Sequence, residues 1–189
     1  MKKETMEYAE QQPKVTVCNG GKQVLVLTNE RVEERSNAPM SDDEEPVTTK
    51  AYVYEGIWLD VDGRTPLAAA KEAVTKDIEA YDASLDVNAF ILNGASVWLD
   101  KATRVGLMNS TTIARSMGNK TTTLWLGDIR LEVDCDKAIQ LLSALEMYAL
   151  DCFNTTAAHK AAVAALDSVE EVLAYDYATN YPSKLEMTV

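Results

Sequence analysis

Two stretches of this chain repeat one another, and that repetition constrains the fold more than any other feature. They are "ILNGASVWLDKATRVGLMNS", from Ile91 to Ser110, and "WLGDIRLEVDCDKAIQLLSA", from Trp125 to Ala144. Leu92 aligns with Leu126, Asp100 with Asp134 and Leu107 with Leu141, an offset of 34 residues. Val97 falls opposite Leu131, Leu99 opposite Val133 and Val105 opposite Ile139, so apolar meets apolar. Each copy reads as strand, tight turn, strand, aspartate, helix. The first turns at Asn93-Gly94, a type I′ hairpin signature, and the second at Gly127-Asp128. Asp100 is placed to cap a helix over Ala102–Met117 that Gly118-Asn119 stops. Asp134 or Asp136 caps a long helix from about residue 137 to 153. A lone hairpin is marginal in water. The two ββα copies are therefore expected to pair their hairpins into one four-stranded sheet, with the helices across one face. Trp58-Leu59-Asp60 echoes Trp98-Leu99-Asp100 and reads as a looser third copy. A 34-residue period also suits helical solenoids, but those lack the hairpin, and two copies are too few.

Ahead of the repeat, residues 1–64 read as an antiparallel β module. "KVTVCNGGKQVLVLTNERV" is a strand, an Asn19-Gly20-Gly21 turn and a second strand. "EERSNAPMSDDEEPVTTK" has two prolines and the acidic run Asp42–Glu45. It predicts a solvated loop over 34–50, with a cation or partner site as the alternative. Tyr52, Tyr54, Ile57 and Trp58 mark one or two short strands pairing back onto the hairpin. Residues 65–189 read as a helix-rich domain containing the repeats. Thr65 is an N-cap and Pro66 a first helical residue; Leu67, Ala70, Val74, Ile78 and Tyr81 then form one apolar stripe that ends near "DASLD". In the long helix Leu141, Leu142, Leu145, Tyr148, Ala149 and Cys152 are core candidates. "TTAAHKAAVAAL" either continues it or starts a new helix at Thr155 or Thr156. Ser168 and Glu171 form a capping box, and "TNYPSKLEMTV" reads as an extended tail. The fold class is α+β.

Composition narrows the chemistry. The chain has 18 basic and 30 acidic residues, a net charge of −12. That disfavours nucleic-acid backbones and anionic membranes, which require clustered Lys and Arg. No apolar run approaches the roughly 20 residues of a membrane span. The N-terminal "MKKETMEYAEQQPKV" turns acidic with no apolar h-region, so export by the general pathway is not expected, and the Asn-x-Ser/Thr triplets at Asn109, Asn119 and Asn154 carry no glycosylation meaning. Cys18, Cys135 and Cys152 fit reduced thiols better than a disulfide framework. Cys152 and the single histidine, His159, share a helix face seven residues apart. At 1.5 Å per residue that is ~10.5 Å, too far for a thiolate–imidazolium pair. They read as a buried thiol and a helix-surface imidazole, with no pocket of convergent polar groups expected around them. "DVDGR" at Asp60–Arg64 is a fragment of a calcium loop, but alanine occupies position 69, where that loop needs glutamate. Trp58, Trp98 and Trp125 read as core rather than as a ligand platform. No catalytic, cofactor-binding or metal-binding residue is assigned.

"NAFILNGASVWLDKATRVGLMNS", "TLWLG" and "ALEMYALDCFNTTAAHKAAVAAL" together resemble a phage and prophage family of unknown function, over roughly residues 70–181. The likeness lies in the Asn-Gly turn, the Trp-Leu-Asp helix start with Thr103-Arg104, the second Trp-bearing hairpin, and Cys152-Phe153 followed by an Ala-rich helix bearing Lys160. Members of that family occur in tail-fibre and tail-fibre-assembly proteins, and the resemblance supplies no catalytic residues. It implies a non-enzymatic structural protein of the tail region of a virion, made in the host cytoplasm. Such a protein would be an adaptor or a fibre- or tip-associated subunit, bound to other tail or fibre proteins and forming a symmetric homo-oligomer, ring or trimer. An assembly chaperone that leaves the particle and an inhibitor of a host factor are the alternatives.

Overall fold

The computed structural model describes residues 3–37 and 47–189. The fold is α+β, and the chain forms two compact units: Met1–Asp77 with Val163–Tyr175, and Ile78–Ala162 with Asp176–Val189.

The first unit is built on an antiparallel sheet in the order β1-β4-β3-β2: β1 (Lys3–Tyr8), β2 (Val15–Cys18), β3 (Gln23–Asn37) and β4 (Val47–Asp60). The Asn19-Gly20-Gly21 turn joins β2 to β3 with all three residues at positive φ, which the two glycines adopt without Cβ strain. Val24, Leu25, Val26 and Leu27 are all buried, so this part of β3 is covered on both faces. One face gathers Leu25, Leu27 and Tyr54, with Met6, Tyr8 and Tyr52 against them. The segment 51–60, expected as short strands, is one continuous strand that pairs back onto β3 as anticipated. A bulge between Thr28 and Arg31, with Asn29 at φ 52°, shifts the register midway. β1 was not legible in the sequence pattern: "KETMEY" pairs with β4 from Lys3–Ile57 to Tyr8–Tyr52. Gly56 leaves room for Met6, whose Sδ would lie 2.5 Å from a Cβ there.

The loop expected over 34–50 is shorter. β3 runs to Asn37 and β4 begins at Val47, so strand pairing claims both ends; the run Asp42–Glu45 lies outside the described residues. The proposed third repeat copy is also corrected. Trp58-Leu59-Asp60 belongs to β4, and Asp60 accepts a bond from Gln23 (2.9 Å) instead of capping a helix. The cap of α1 (Pro66–Asp82) is Thr65, whose hydroxyl accepts from Ala68 N at 3.2 Å. Ala70, Val74 and Ile78 of its stripe are fully buried, while Leu67 and Tyr81 are half-buried.

In the second unit a short α2 (Leu85–Asn88) leads into β5 (Phe90–Leu92) and β6 (Ala95–Val97), then α3 (Lys101–Ser116). Asn93 and Gly94 both take positive φ, as a type I′ turn requires. Asp100 caps α3, its carboxylate accepting from the Thr103 amide (2.8 Å) and hydroxyl (2.7 Å). β7 (Thr121–Leu126) and β8 (Ile129–Asp134) form the second hairpin. Asp134 rather than Asp136 caps α4 (Cys135–Ala165), accepting from Asp136 N (2.8 Å) and Lys137 N (3.3 Å). α4 is one 31-residue helix, so "TTAAHKAAVAAL" continues it. Ser168 caps the short α5 (Val169–Ala174), which belongs to the first unit.

The hairpins do not join into a four-stranded sheet. Among the described residues β7 and β8 pair only with each other, and the free edge of β5 is taken by β9 (Glu186–Met187) in parallel. Ile91 N bonds Leu185 O (2.8 Å) and Asn93 N bonds Met187 O (2.9 Å). The tail is thus extended, but it is also a strand. The copies share a core without sharing a ladder: Phe90, Leu92, Val97 and Leu99 from the first meet Leu124, Leu126 and Val133 from the second. Leu142, Leu145, Tyr148 and Cys152 of α4 complete that core, with Leu141 packed at its edge.

Candidate functional site

Cys152 and His159 both face inward, so the imidazole is not on the surface: His159 is 4% exposed. The returning segment 176–189 covers it. Its Nε2 lies 2.8 Å from the Thr179 carbonyl, an acceptor only, so Nε2 carries the proton. The Tyr181 ring lies beside it, centroids 5.6 Å apart. Thr156, one turn earlier, donates to Asp82 (2.6 Å) and bonds the Tyr181 hydroxyl (2.8 Å). Cys152 donates weakly to Val87 O (3.8 Å), and the Tyr148 hydroxyl donates to the same carbonyl (2.7 Å). Burial pushes the Cys152 thiol up, and the charges of Asp82 and Asp151 push it further. Burial likewise raises the Tyr148 phenol to about 12. A thiol held protonated and an imidazole bound to a backbone carbonyl form no nucleophile–base pair.

A cavity of about 370 Å³ does border Cys152, contrary to the expectation from sequence. Asp82, Asn88, Lys101, Arg104 and Glu146 converge on it, with Leu150 and Phe153 forming an apolar wall. The sequence concealed it because the polar groups come from four helices spread along the chain. Its strongest charges are internally satisfied: Arg104 Nε donates to Glu146 (2.8 Å) and Nη1 to Leu99 O (2.8 Å). His159 is not among its lining residues.

The Asp60–Arg64 turn is organised by its own arginine. Arg64 donates to Val61 O (2.9 Å) and Asp60 O (3.2 Å), and pairs with Asp62 and Glu72. Among the described residues no group of three or more His, Cys, Asp or Glu is arranged to hold a metal ion. The tryptophans are not core. Trp58, Trp98 and Trp125 are 42%, 50% and 56% exposed, because their apolar neighbours Leu59, Leu99, Leu124 and Leu126 take the inward positions.

The feature with the plainest capacity for binding is the far end of the β3–β4 ribbon. Glu34, Arg35 and Ser36, opposite Lys50, Thr49 and Thr48, are all exposed. On one side, pairing with β1 stops at Tyr8–Tyr52; on the other, pairing with β2 stops at Val15–Val26. Beyond those points, among the described residues, the ribbon has no further strand beside it. A two-stranded ribbon with little to bury and two open edges is a template for a third strand.

No family model matches the chain, and neither curated proteins nor solved structures give a match.

Proposed function

We propose that this is a non-enzymatic structural protein of the tail region of a phage or phage-tail-like particle, acting as an adaptor between other tail or fibre proteins and associating with copies of itself. The observation that carries the docking role is the exposed β3–β4 ribbon, whose open edges suit strand addition by a partner. The tail context rests on the sequence resemblance over residues 70–181. The protonated Cys152 and the backbone-bound His159 favour binding over catalysis. Quantitative mass spectrometry of purified particles tests the reading. A stoichiometric signal is expected; confinement to the soluble lysate, bound to a fibre or to a host protein, would replace it with a chaperone or an inhibitor.

A further inference from the structure

α3 presents a face without charge. Thr111 is its only fully buried residue. On the opposite side Ala102, Val105, Gly106, Asn109, Ile113 and Met117 are exposed. Val105, Ile113 and Met117 reach 43%, 59% and 75%. A surface helix ordinarily sets charged residues there. Arg104 and Arg115 lie on the Thr111 side of the helix instead, each with its own carboxylate: Glu146 at 2.8 Å and Asp136 at 2.6 Å. Lys101 sits at the helix end.

We propose that α3 is where two copies of this chain pair, antiparallel, about a two-fold axis beside Asn109. Residues at i, i+3, i+4 and i+7 of a helix frame a hole for a side chain of a facing helix. Ala102, Val105, Gly106 and Asn109 have that spacing, and alanine and glycine leave the hole open. Its centre lies about 3.5 residues to one side of Asn109 and Ile113 four residues to the other, a mismatch of less than ~1 Å at 1.5 Å per residue. A two-fold axis at Asn109 therefore seats each Ile113 in the hole of the other copy.

Size and polarity match in this register. The Asn109 amides meet on the axis, where each can donate to and accept from the other, a pairing that fixes register in helical dimers. The electrostatics point to self-association rather than to a charged partner. Copies with a net charge of −12 repel through most of their surface, but this face brings no charge to the contact, and the arginines of the helix lie on its other side, already neutralised. One helix per copy, ~24 Å long at 1.5 Å per residue, makes a small interface, so dissociation in the micromolar to millimolar range is expected.

This deepens the self-association in the proposed function, replacing a ring or trimer with a two-fold contact, and it is tested on the purified full chain alone. Its failure therefore leaves the tail-region reading to be judged by the particles. Sedimentation velocity up to about 1 mM should show a reversible monomer–dimer equilibrium. Gly106→Leu fills the hole; an added Cβ there meets nothing within 4 Å of its own chain, and leucine is the better helix former. That variant should keep its circular dichroism and melting temperature while its dissociation constant rises about 30-fold or more. Ile113→Asp should do the same by removing the knob, and Asn109→Cys should cross-link into a covalent dimer on oxidation. A wild-type chain that stays monomeric throughout, or a dimer indifferent to both Gly106→Leu and Ile113→Asp, overturns the proposal.

Discussion

Replacing Thr111 by valine should make the protein more stable. Thr111 is fully buried, and among the described residues its hydroxyl has no hydrogen-bond partner. A buried polar group left unpaired costs about 1–3 kcal/mol. Valine keeps the branched shape and has nearly the same helix propensity, so the exchange removes that cost without opening a cavity. A gain of about 1–2 kcal/mol is expected, and in a chain of this size each kcal/mol moves the midpoint by ~2–4 °C. Thermal and urea unfolding followed by circular dichroism and by tryptophan fluorescence reads it, with coincidence of the two probes checking that the two units unfold together. Thr111→Ser is the control: it keeps the hydroxyl and loses a buried methyl, so it should destabilise. If valine leaves stability unchanged or lowers it, the hydroxyl is bonded in solution, as threonine often is to the carbonyl one turn back, and the reasoning about this site fails.

Three further outcomes follow from named contacts. Tyr148→Phe strips a bond from the buried Val87 carbonyl and should cost about 1–3 kcal/mol in the same melts. Hydrogen bonds from Thr103, its hydroxyl foremost, hold the Asp100 carboxyl below its ordinary range. The stability it contributes is therefore present above the unfolded value near ~4 and lost as pH falls through the lower folded value; the difference between wild type and Asp100→Ala should be flat at neutral pH and shrink only on acidification. In the folded chain at mildly alkaline pH, iodoacetamide should modify Cys18 well before Cys135 or Cys152, which are both buried; rapid labelling of Cys152 would mean that the cavity beside it is more reactive than its surroundings imply.

The parts of the fold written in local chemistry were legible. Asn93-Gly94, the Asp100 and Asp134 caps, Thr65-Pro66 and Ser168 each act within four residues, and each does what its sequence context demands. The parts decided by distant segments were not. "KETMEY" is half charged and becomes a strand only because β4 offers it an edge. Two residues near the C-terminus, Glu186 and Met187, complete the β5 sheet, a pairing too short to leave any periodicity. His159 looked like a surface residue because the segment that covers it lies 20 residues on. The tryptophans misled for a different reason: their size suggests burial, whereas strand alternation and the smaller leucines beside them decide which side faces in. The cavity beside Cys152 gathers residues from 82 to 153, and no spacing rule connects those positions. The ribbon ends, rich in charge and threonine, read as loop because residues 34–36 and 48–50 are exposed and carry no apolar alternation; only the pairing of Glu34–Lys50 through Asn37–Val47 reveals strand.

The central claim is that this chain serves by docking, and the ribbon is where that claim is most exposed. Residues 34–50 can be replaced by Asn-Gly, which closes the Glu33–Ala51 pair with a two-residue hairpin turn and leaves every strand pairing of β1 and β2 in place, with the loss only of the exposed Arg35–Glu7 ion pair on β1. Wild-type and shortened chains would be supplied to a host producing particles that lack the protein, and incorporation measured after particle purification. The account predicts that the shortened chain folds, with unchanged circular dichroism, yet is absent from particles that take up the wild type. Equal incorporation of both, or of neither, would contradict it.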